Sequence, residues 1–153
     1  MLPQLADLGL VFVEQPISHR GGIAAWQALR EQLPHGRSPL PLIADESAQT
    51  VDDLAGLQGL ADGVNVKLLK AGGLRPAMAM MREARALGMT VLLGCMVESS
   101  IGVTAAAHLV SLADWIDLDG HLYVANDDYC GISYDERGAM YLPVGAGIGV
   151  EKR

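Results

Sequence analysis

The sequence has few aromatic residues and very few cysteines. Aromatic side chains make up 5% of the 153 residues, whereas glycine occurs 18 times. This balance suits helices packed closely on a sheet better than a β-sandwich, which relies on aromatic and β-branched residues. The two cysteines, Cys95 and Cys130, lack the spacing of a metal site. They predict reduced thiols in a cytosolic protein.

Basic clusters and long apolar runs are missing as well. No block of lysine or arginine stands out in a chain with a formal net charge of −7, so we expect no nucleic-acid partner. No apolar run approaches the roughly 18 residues of a membrane span. Residues 1–9 lack the basic start and apolar stretch of a signal peptide. The sequence therefore predicts a soluble, cytoplasmic protein without a membrane partner.

Short β-rich runs alternate with helix-like stretches along the chain. The predicted strands cover residues 10–13, 42–44, 64–68, 90–93 and 115–117. The predicted helices cover residues 24–33, 51–60, 76–87 and 99–112, after a helix end at residues 1–9. A hairpin turning at residues 135–138 and a glycine-rich tail follow. This alternation predicts an α/β fold with parallel strands and outer helices.

Polar or reactive side chains lie at the end of each predicted strand, one per βα unit. They are Glu14, Asp45, Lys67, Cys95 and Asp117, at separations of 31, 22, 28 and 22 residues. In a (β/α)8 barrel, functional residues occupy the carboxyl ends of several strands, and the spacing fits that arrangement. A five-stranded doubly wound sheet is the structural alternative.

Five βα units do not close an eight-stranded barrel, and a partial barrel exposes two sheet edges. We therefore predict the C-terminal portion of a (β/α)8 barrel, either as a fragment or as one half of a split protein. In this interpretation residues 1–131 form the barrel units, and residues 132–153 form a C-terminal hairpin and tail.

Three of the strand-end residues suggest chemistry. Glu14 and Asp45 follow neighbouring strands, so their carboxylates converge and repel each other unless a cation lies between them. Hard oxygen ligands of this kind suit Mg²⁺ or Mn²⁺. Lys67 is a candidate acid/base group, because a nearby divalent cation disfavours its ammonium form. Lys70 competes for this role, since the two lysines cannot both point inward if one strand runs through both.

Three segments carry a resemblance to a known family. Residues 13–16 (Val-Glu-Gln-Pro), 44–47 (Ala-Asp-Glu-Ser) and 65–73 (Asn-Val-Lys-Leu-Leu-Lys-Ala-Gly-Gly) closely resemble segments of the enolase superfamily, muconate-lactonizing subgroup. The resemblance implies that Glu14 and Asp45 are two of three Mg²⁺ ligands and that Lys67 is one of two acid/base lysines. It also implies that an N-terminal capping domain, a Lys-x-Lys pair and the first metal-binding aspartate are absent.

The last strand ends distinguish members of this subgroup. Asp117 and Asp119 resemble the pair with which dipeptide epimerases hold the α-ammonium group of a dipeptide, and two carboxylates are a good receptor for one ammonium. The pair shares a face if the segment is extended. By the same resemblance Cys95 and Val97 line the substrate pocket. The implied reaction is a 1,1-proton transfer at the α-carbon of a dipeptide through an enediolate.

Two other functions stay open at this point. One is another subgroup enzyme, such as an N-acylamino-acid racemase, an o-succinylbenzoate synthase or a cycloisomerase. The other is a non-catalytic remnant, or a module that acts with a separate N-terminal half of the barrel or as a homo-oligomer. We expect this chain alone to have negligible epimerase activity.

Overall fold

The computed structural model describes residues 2–153, and its main feature is a five-stranded parallel sheet. The strands occur in the sheet in chain order, and each pairs with the next in parallel. Their bounds are β1 Val13–Glu14, β2 Leu42–Ala44, β3 Gly63–Lys67, β4 Thr90–Gly94 and β5 Trp115–Asp117. This sequential order excludes the doubly wound alternative, whose strand order reverses at a switch point.

Helices connect the strands. The α-helices are α1 Leu2–Ala6, α2 Gly22–Glu31, α3 Leu54–Leu57, α4 Leu68–Ala71, α5 Leu74–Ala86 and α6 Ser100–Ala107. Short 3₁₀ turns occur at His19–Gly21, Pro34–Gly36, Val51–Asp53, Val110–Leu112 and Gly120–Tyr123. Within residues 2–153 no helix has the length and apolar character needed to cross a bilayer.

The sheet is curled. In a flat sheet, the first and fifth strands would lie about 19 Å apart, four spacings of about 4.8 Å. The ring of Phe12, which precedes β1, nevertheless lies 4.9 Å from the ring of Trp115 on β5, measured between centroids. Curling brings both rings to the concave side. The sheet is therefore part of a barrel wall, and the predicted half-barrel is confirmed.

Strand side chains alternate between two layers. The residues that face the helices are fully buried, and they pack against Trp26 of α2 and Met81 of α5. On β2, β3 and β4 these residues are Leu42, Ala44, Val64, Val66, Val91 and Leu93. Burial of each large apolar side chain stabilises the fold by roughly 1.5–3 kcal/mol. The opposite face carries Ile43 and Leu92, and near the strand ends it carries the polar side chains of the candidate site.

The structure corrects the first predicted strand. We expected a doubly buried strand at residues 10–13, but β1 begins at Val13, and Leu10 and Val11 are exposed. The reason is that β1 is an edge strand with a neighbour on one side only. A continuous apolar run predicts a doubly buried strand only where other elements of the protein cover both faces of that strand. Leu10 and Val11 lack such cover in the described residues.

Two predicted helices are shorter than expected. The helix predicted at residues 51–60 starts with the expected Thr50–Asp53 capping box, but α3 ends at Leu57, before Gly59 adopts a φ of +75°. The helix predicted at residues 99–112 ends at Ala107 and continues as a 3₁₀ turn. The predicted helix end at residues 1–9 corresponds to α1, and Met1 lies outside the described residues.

The C-terminal segment forms two small antiparallel pairs. The predicted hairpin is present, because β7 Ser133–Tyr134 pairs with β8 Met140–Tyr141. A pair that we did not predict joins β6 Tyr129–Cys130 to β9 Glu151–Lys152. The division of the chain at residue 132 stays a prediction.

Candidate active site

The three residues that carried the sequence argument lie at one end of the sheet. Glu14 ends β1, Asp45 directly follows β2, and Lys67 ends β3. The parallel register places these strand ends next to one another, with Glu14 opposite Ile43 and Ala44 opposite Val64. The structure therefore brings all three to the mouth of the half-barrel.

The carboxylate of Glu14 accepts a hydrogen bond from a buried side chain on β3. Asn65 on β3 is 1% exposed, and its Nδ2 donates a hydrogen bond of 2.7 Å to Glu14 Oε1. Burial raises the pKa of Glu14, and the neighbouring charge of Asp45 raises it further, against the lowering effect of this hydrogen bond. The carboxylates of Glu14 and Asp45 are therefore close enough for their charges to interact.

Asp45 lies between two lysines. It is 6% exposed, its Oδ2 accepts a 2.8 Å hydrogen bond from Lys67 Nζ, and its Oδ1 forms an ion pair with Lys70. Burial would raise the pKa of Asp45, but the hydrogen bonds from the two ammonium groups outweigh burial and lower it. Asp45 is therefore ionised and firmly placed.

The two lysines are bound very differently. Lys70 Nζ donates to three backbone carbonyl oxygens, those of Asp45 (2.7 Å), Ala48 (3.2 Å) and Asn65 (3.1 Å), in addition to the carboxylate of Asp45. An ammonium group has three N–H donors, so Lys70 has none left for a substrate. Lys67 Nζ makes a single hydrogen bond, to Asp45, among the described residues.

The pKa values of the lysines shift in opposite directions. Burial lowers the pKa of Lys70 and outweighs its pairing with Asp45. For Lys67, burial also acts to lower the pKa, but the hydrogen bond and charge of Asp45 outweigh it and raise the pKa. Both lysines reach Asp45 because the strand ends at Lys67 and α4 begins at Leu68. The alternation expected for one continuous strand therefore does not apply.

One strand, β4, lies between Lys67 and Asp117 on the last strand. Lys67 lies opposite Gly94 on β4, and Gly94 lies opposite Asp117 on β5. Adjacent strands are about 4.8 Å apart, so the Cα atoms of Lys67 and Asp117 are about 10 Å apart with only a glycine between them. The charge of Lys67 acts to lower the pKa of Asp117, so the two groups interact across this distance.

Asp117 and Asp119 lie near each other, although not on one extended segment. The strand ends at Asp117, and Asp119 has helical backbone angles at the start of the 3₁₀ turn Gly120–Tyr123. Burial and the charge of Asp119 raise the pKa of Asp117, so the two carboxylates interact. Asp119 Oδ2 also accepts a 3.2 Å hydrogen bond from the hydroxyl of Tyr123. The expectation of an extended pair was therefore wrong in its geometry.

The other two candidate pocket residues follow β4. Cys95 is half-buried, and its Sγ accepts a 3.2 Å hydrogen bond from the backbone N–H of Gly120. Burial raises the pKa of this thiol, with smaller contributions from nearby carboxylates. Val97 lies two residues further on and is 70% exposed. Both lie at the same end of the sheet as Lys67.

The residues at the mouth fit a hard divalent cation. A carboxylate offers about four lone-pair sites, so Asp45 can retain both lysines and still bind a metal ion, and Glu14 has one oxygen beyond the one bound by Asn65. Asn65 Oδ1 is buried without a hydrogen-bond partner among the described residues. Within residues 2–153, however, no cluster of three or more His, Cys, Asp or Glu side chains could hold a metal. Glu14 and Asp45 therefore stay predicted metal ligands.

Sequence reasoning missed three residues of this site. Asn65 holds Glu14, Gln15 bonds to the loop that carries Asp45, and Gly94 leaves room for the Asn65 amide, which a Cβ at residue 94 would overlap. An amide in an otherwise apolar strand and a glycine at a strand end were the available signals. Their partners lie 29 to 51 residues away, and only the fold shows which residues they meet.

Fold and site together define a portion of a (β/α)8 barrel with carboxylates and a lysine at its carboxyl end. The chain belongs to the enolase C-terminal domain-like family, whose family model matches residues 1–153. The resemblance inferred from the sequence is thereby confirmed.

Similar proteins are named as epimerases and racemases. An L-Ala-D/L-amino acid epimerase of Maribacter sp. is 38% identical over 148 residues, which cover 97% of this chain and 42% of that protein. An N-acetyl-D-glutamate racemase of Pseudoalteromonas sp. is 42% identical over 123 residues, covering 80% of this chain and 36% of that protein.

A solved structure agrees with the same assignment. The dipeptide epimerase from Cytophaga hutchinsonii, complexed with Mg and the dipeptide D-Ala-L-Val, superposes with a TM-score of 0.85 at 30% identity. The match covers 99% of this chain and 41% of that structure. The chain therefore spans about two fifths of the length of the relatives it matches.

Proposed function

We propose that this chain supplies part of the active site of a Mg²⁺-dependent dipeptide epimerase. The observation that carries the proposal is the convergence of Glu14, Asp45 and Lys67 at one barrel end, with Asp117 two strands away from Lys67 at the same end. The names of the relatives and the Mg in the Cytophaga hutchinsonii structure support it. Two carboxylate ligands suit Mg²⁺, and Mn²⁺ would bind in the same way.

In the proposed reaction, Lys67 exchanges a proton with the α-carbon of the dipeptide. Lys67 suits this role because Asp45 is the only partner of its Nζ among the described residues, whereas Lys70 is saturated. As a neutral amine Lys67 would accept the α-proton through its lone pair, and the ammonium that forms would return a proton to the α-carbon. When bound, Mg²⁺ would offset the negative charge that develops on the substrate carboxylate as the proton leaves. Asp45 orients Lys67 through their 2.8 Å hydrogen bond.

The carboxylates at the end of β5 are the candidates for orienting the substrate. We propose that Asp117 and Asp119 bind the free α-ammonium group, since their mutual repulsion is relieved by a cation between them. Cys95 and Val97 would border the same pocket.

The complete reaction needs groups beyond those described here. A 1,1-proton transfer requires a second acid/base group on the opposite face of the α-carbon, and Mg²⁺ needs a further protein ligand. We propose that a missing N-terminal half of the barrel, or another copy of this chain, supplies them. We further propose a cytoplasmic location, which suits Cys95 and Cys130 because neither forms a disulfide among the described residues.

A second candidate function is N-acylamino-acid racemisation. The relative named as an N-acetyl-D-glutamate racemase favours it. An N-acylated substrate has no free ammonium, however, so Asp117 and Asp119 would face it without a partner. Carboxylates left unpaired in this way lower affinity, and the pair therefore favours a dipeptide.

The test is a graft into a relative. Residues 1–153 replace the matching segment of the Maribacter epimerase, and α-proton exchange is followed by NMR in D₂O with Mg²⁺. L-Ala-L-Glu and N-acetylglutamate serve as the two substrates. We expect exchange of the dipeptide, and we expect Lys67→Met in the graft to abolish it while circular dichroism stays unchanged.

The outcomes separate the candidate functions. Faster exchange of N-acetylglutamate than of the dipeptide would favour the racemase. A folded graft that binds Mg²⁺ and exchanges neither substrate would contradict both enzymatic functions and favour a non-catalytic remnant.

A further inference from the structure

Gln15 directly follows Glu14 and has an unusual backbone conformation. Its φ is +39°, a region that residues other than glycine rarely occupy. Its backbone N–H donates to Ile43 O at 2.8 Å, which continues the pairing of β1 with β2 beyond the last strand residue. The side chain, in turn, reaches the loop that follows β2.

The side-chain amide of Gln15 has all of its hydrogen-bonding capacity in use. Oε1 accepts the backbone N–H groups of Asp45 (3.0 Å) and Ser47 (3.2 Å). Nε2 donates to Ile17 O (2.8 Å) and to Ser47 Oγ (2.9 Å). A primary amide has two donors and two acceptor sites, and all four are satisfied here. Gln15 therefore ties the Asp45 loop to the end of β1.

A third element fixes the same loop. The indole Nε1 of Trp26 on α2 donates to Ser47 Oγ at 3.0 Å, and Trp26 is 0% exposed. The hydroxyl of Ser47 thus joins Gln15 to the helix layer. Because Trp26 is packed in the close-packed core, its hydrogen bond restrains Ser47 and the loop after β2.

We propose that Gln15 is a positioning residue that sets the separation between the carboxylates of Glu14 and Asp45. Glu14 directly precedes Gln15, and Asp45 is a residue whose backbone N–H the Gln15 side chain binds. The inference rests on the proposed cation site, because a fixed separation matters only if both carboxylates bind one ion. Outer hydrogen bonds that orient metal ligands commonly change metal affinity 10- to 100-fold when removed.

The test compares variants of residues 1–153. Gln15→Met keeps the length of the side chain and removes all four hydrogen bonds. Gln15→Glu keeps an acceptor oxygen for the N–H groups of Asp45 and Ser47 but loses the two bonds donated by Nε2. Ser38→Ala is the matched control, since it removes one local hydrogen bond, to Leu40 N–H, away from the site. Hydrogen exchange at the amides of Asp45 and Ser47 is measured by NMR, and Mn²⁺ affinity is measured by electron paramagnetic resonance.

We expect Gln15→Met to lose protection at both amides and to bind Mn²⁺ about 10-fold more weakly. Gln15→Glu should retain the protection, and Ser38→Ala should change neither measurement. If Gln15→Met proves unfolded by circular dichroism, Gln15→Glu and Ser47→Ala carry the comparison. Ser47→Ala removes the two hydrogen bonds that Ser47 Oγ accepts, from Gln15 Nε2 and Trp26 Nε1, and leaves both bonds to Gln15 Oε1 in place.

Two results would overturn the inference. One is unchanged amide protection in folded Gln15→Met. The other is lost protection with unchanged Mn²⁺ affinity. A failure of the proposed function looks different: in that case Glu14→Gln binds Mn²⁺ as well as the unmodified chain does, or the unmodified chain binds none. Either finding would contradict the proposed cation site, and with it the role of Gln15 in that site, regardless of the amide exchange result.

Discussion

At the scale of single residues, Asp45 shows how one carboxylate can serve two lysines with different tasks. Lys67 bonds to one oxygen and keeps donors available, whereas Lys70 bonds to the other oxygen and to three backbone carbonyls. Lys70 thereby joins the loop after β2 to the backbone of β3 at Asn65. The residue that competed with Lys67 for the catalytic role in the sequence is thus bound as a structural cation.

Replacement of the two lysines should separate these tasks. Lys70→Met removes the hydrogen bonds of Nζ to the carbonyl oxygens of Asp45, Ala48 and Asn65 and should lower the free energy of unfolding by about 3 kcal/mol, since a hydrogen bond to a charged group contributes about 1.5–3 kcal/mol. Lys67→Met should cost less, because Asp45 retains Lys70. Urea denaturation followed by circular dichroism measures both.

Lys152→Met is the control for loss of a charge, since Lys152 is exposed on β9. Equal destabilisation by Lys67→Met and Lys70→Met would argue against the division of tasks between the lysines.

At the scale of elements, the C-terminal hairpin is held by one aspartate. Asp135 Oδ1 accepts the backbone N–H groups of Arg137 (2.9 Å) and Ala139 (2.8 Å), and its Oδ2 accepts the hydroxyl of Tyr141 (3.2 Å). The hydrogen bond from Ala139 is the main reason that the pKa of Asp135 is lowered. The turn predicted from the sequence at residues 135–138 therefore owes its shape to the residue that opens it.

The lowered pKa of Asp135 predicts a pH-dependent hairpin. Its contribution is fully present above the unfolded pKa of aspartate, about 3.9, and is lost as the pH falls through the lower folded value. Amide exchange at Ala139 and Arg137 should therefore lose protection in acid below about pH 4. Asp135→Asn should remove this pH dependence, and NMR hydrogen exchange measures it.

Glu136→Gln, in the same exposed turn, is the matched control and should leave the pH profile unchanged. An identical acid transition in Asp135→Asn would assign the effect to another group.

At the scale of the whole molecule, the curled sheet has two open edges. β1 and β5 each have one neighbour, and Leu10, Val11 and Ile116 beside these edges are exposed. Unpaired strand edges with apolar side chains favour pairing with further strands. This arrangement supports the proposal that the remaining barrel strands come from outside residues 1–153.

Residues 1–153 alone should catalyse negligible exchange of a dipeptide α-proton in D₂O, even with added Mg²⁺. The described residues offer two carboxylates at the proposed metal site, and an ion held so weakly stabilises little of the developing charge. NMR of the dipeptide with and without the polypeptide measures the rate. Robust exchange would contradict the prediction, and the grafted form provides the positive control.

Much of the architecture was predictable from the sequence because its signals are local. Alternating β-rich and helical segments predicted parallel βα units, and the bounds of β2 and β5 were correct. The order Glu14, Asp45, Lys67 placed these residues at adjacent strand ends, since chain order and sheet order coincide in a barrel. The first strand was wrong because burial at an edge depends on neighbours that hydrophobicity alone does not reveal.

The sequence by itself determined the half-barrel, the family and the strand-end residues, because strand periodicity and short motifs depend on residues close in the chain. Only the tertiary structure decided that Lys70 is saturated, that Asn65 binds the carboxylate of Glu14, and that Gln15 binds the backbone of the loop that carries Asp45. These roles depend on contacts between residues far apart in sequence, and hydrogen-bond geometry exists only once the strands are paired.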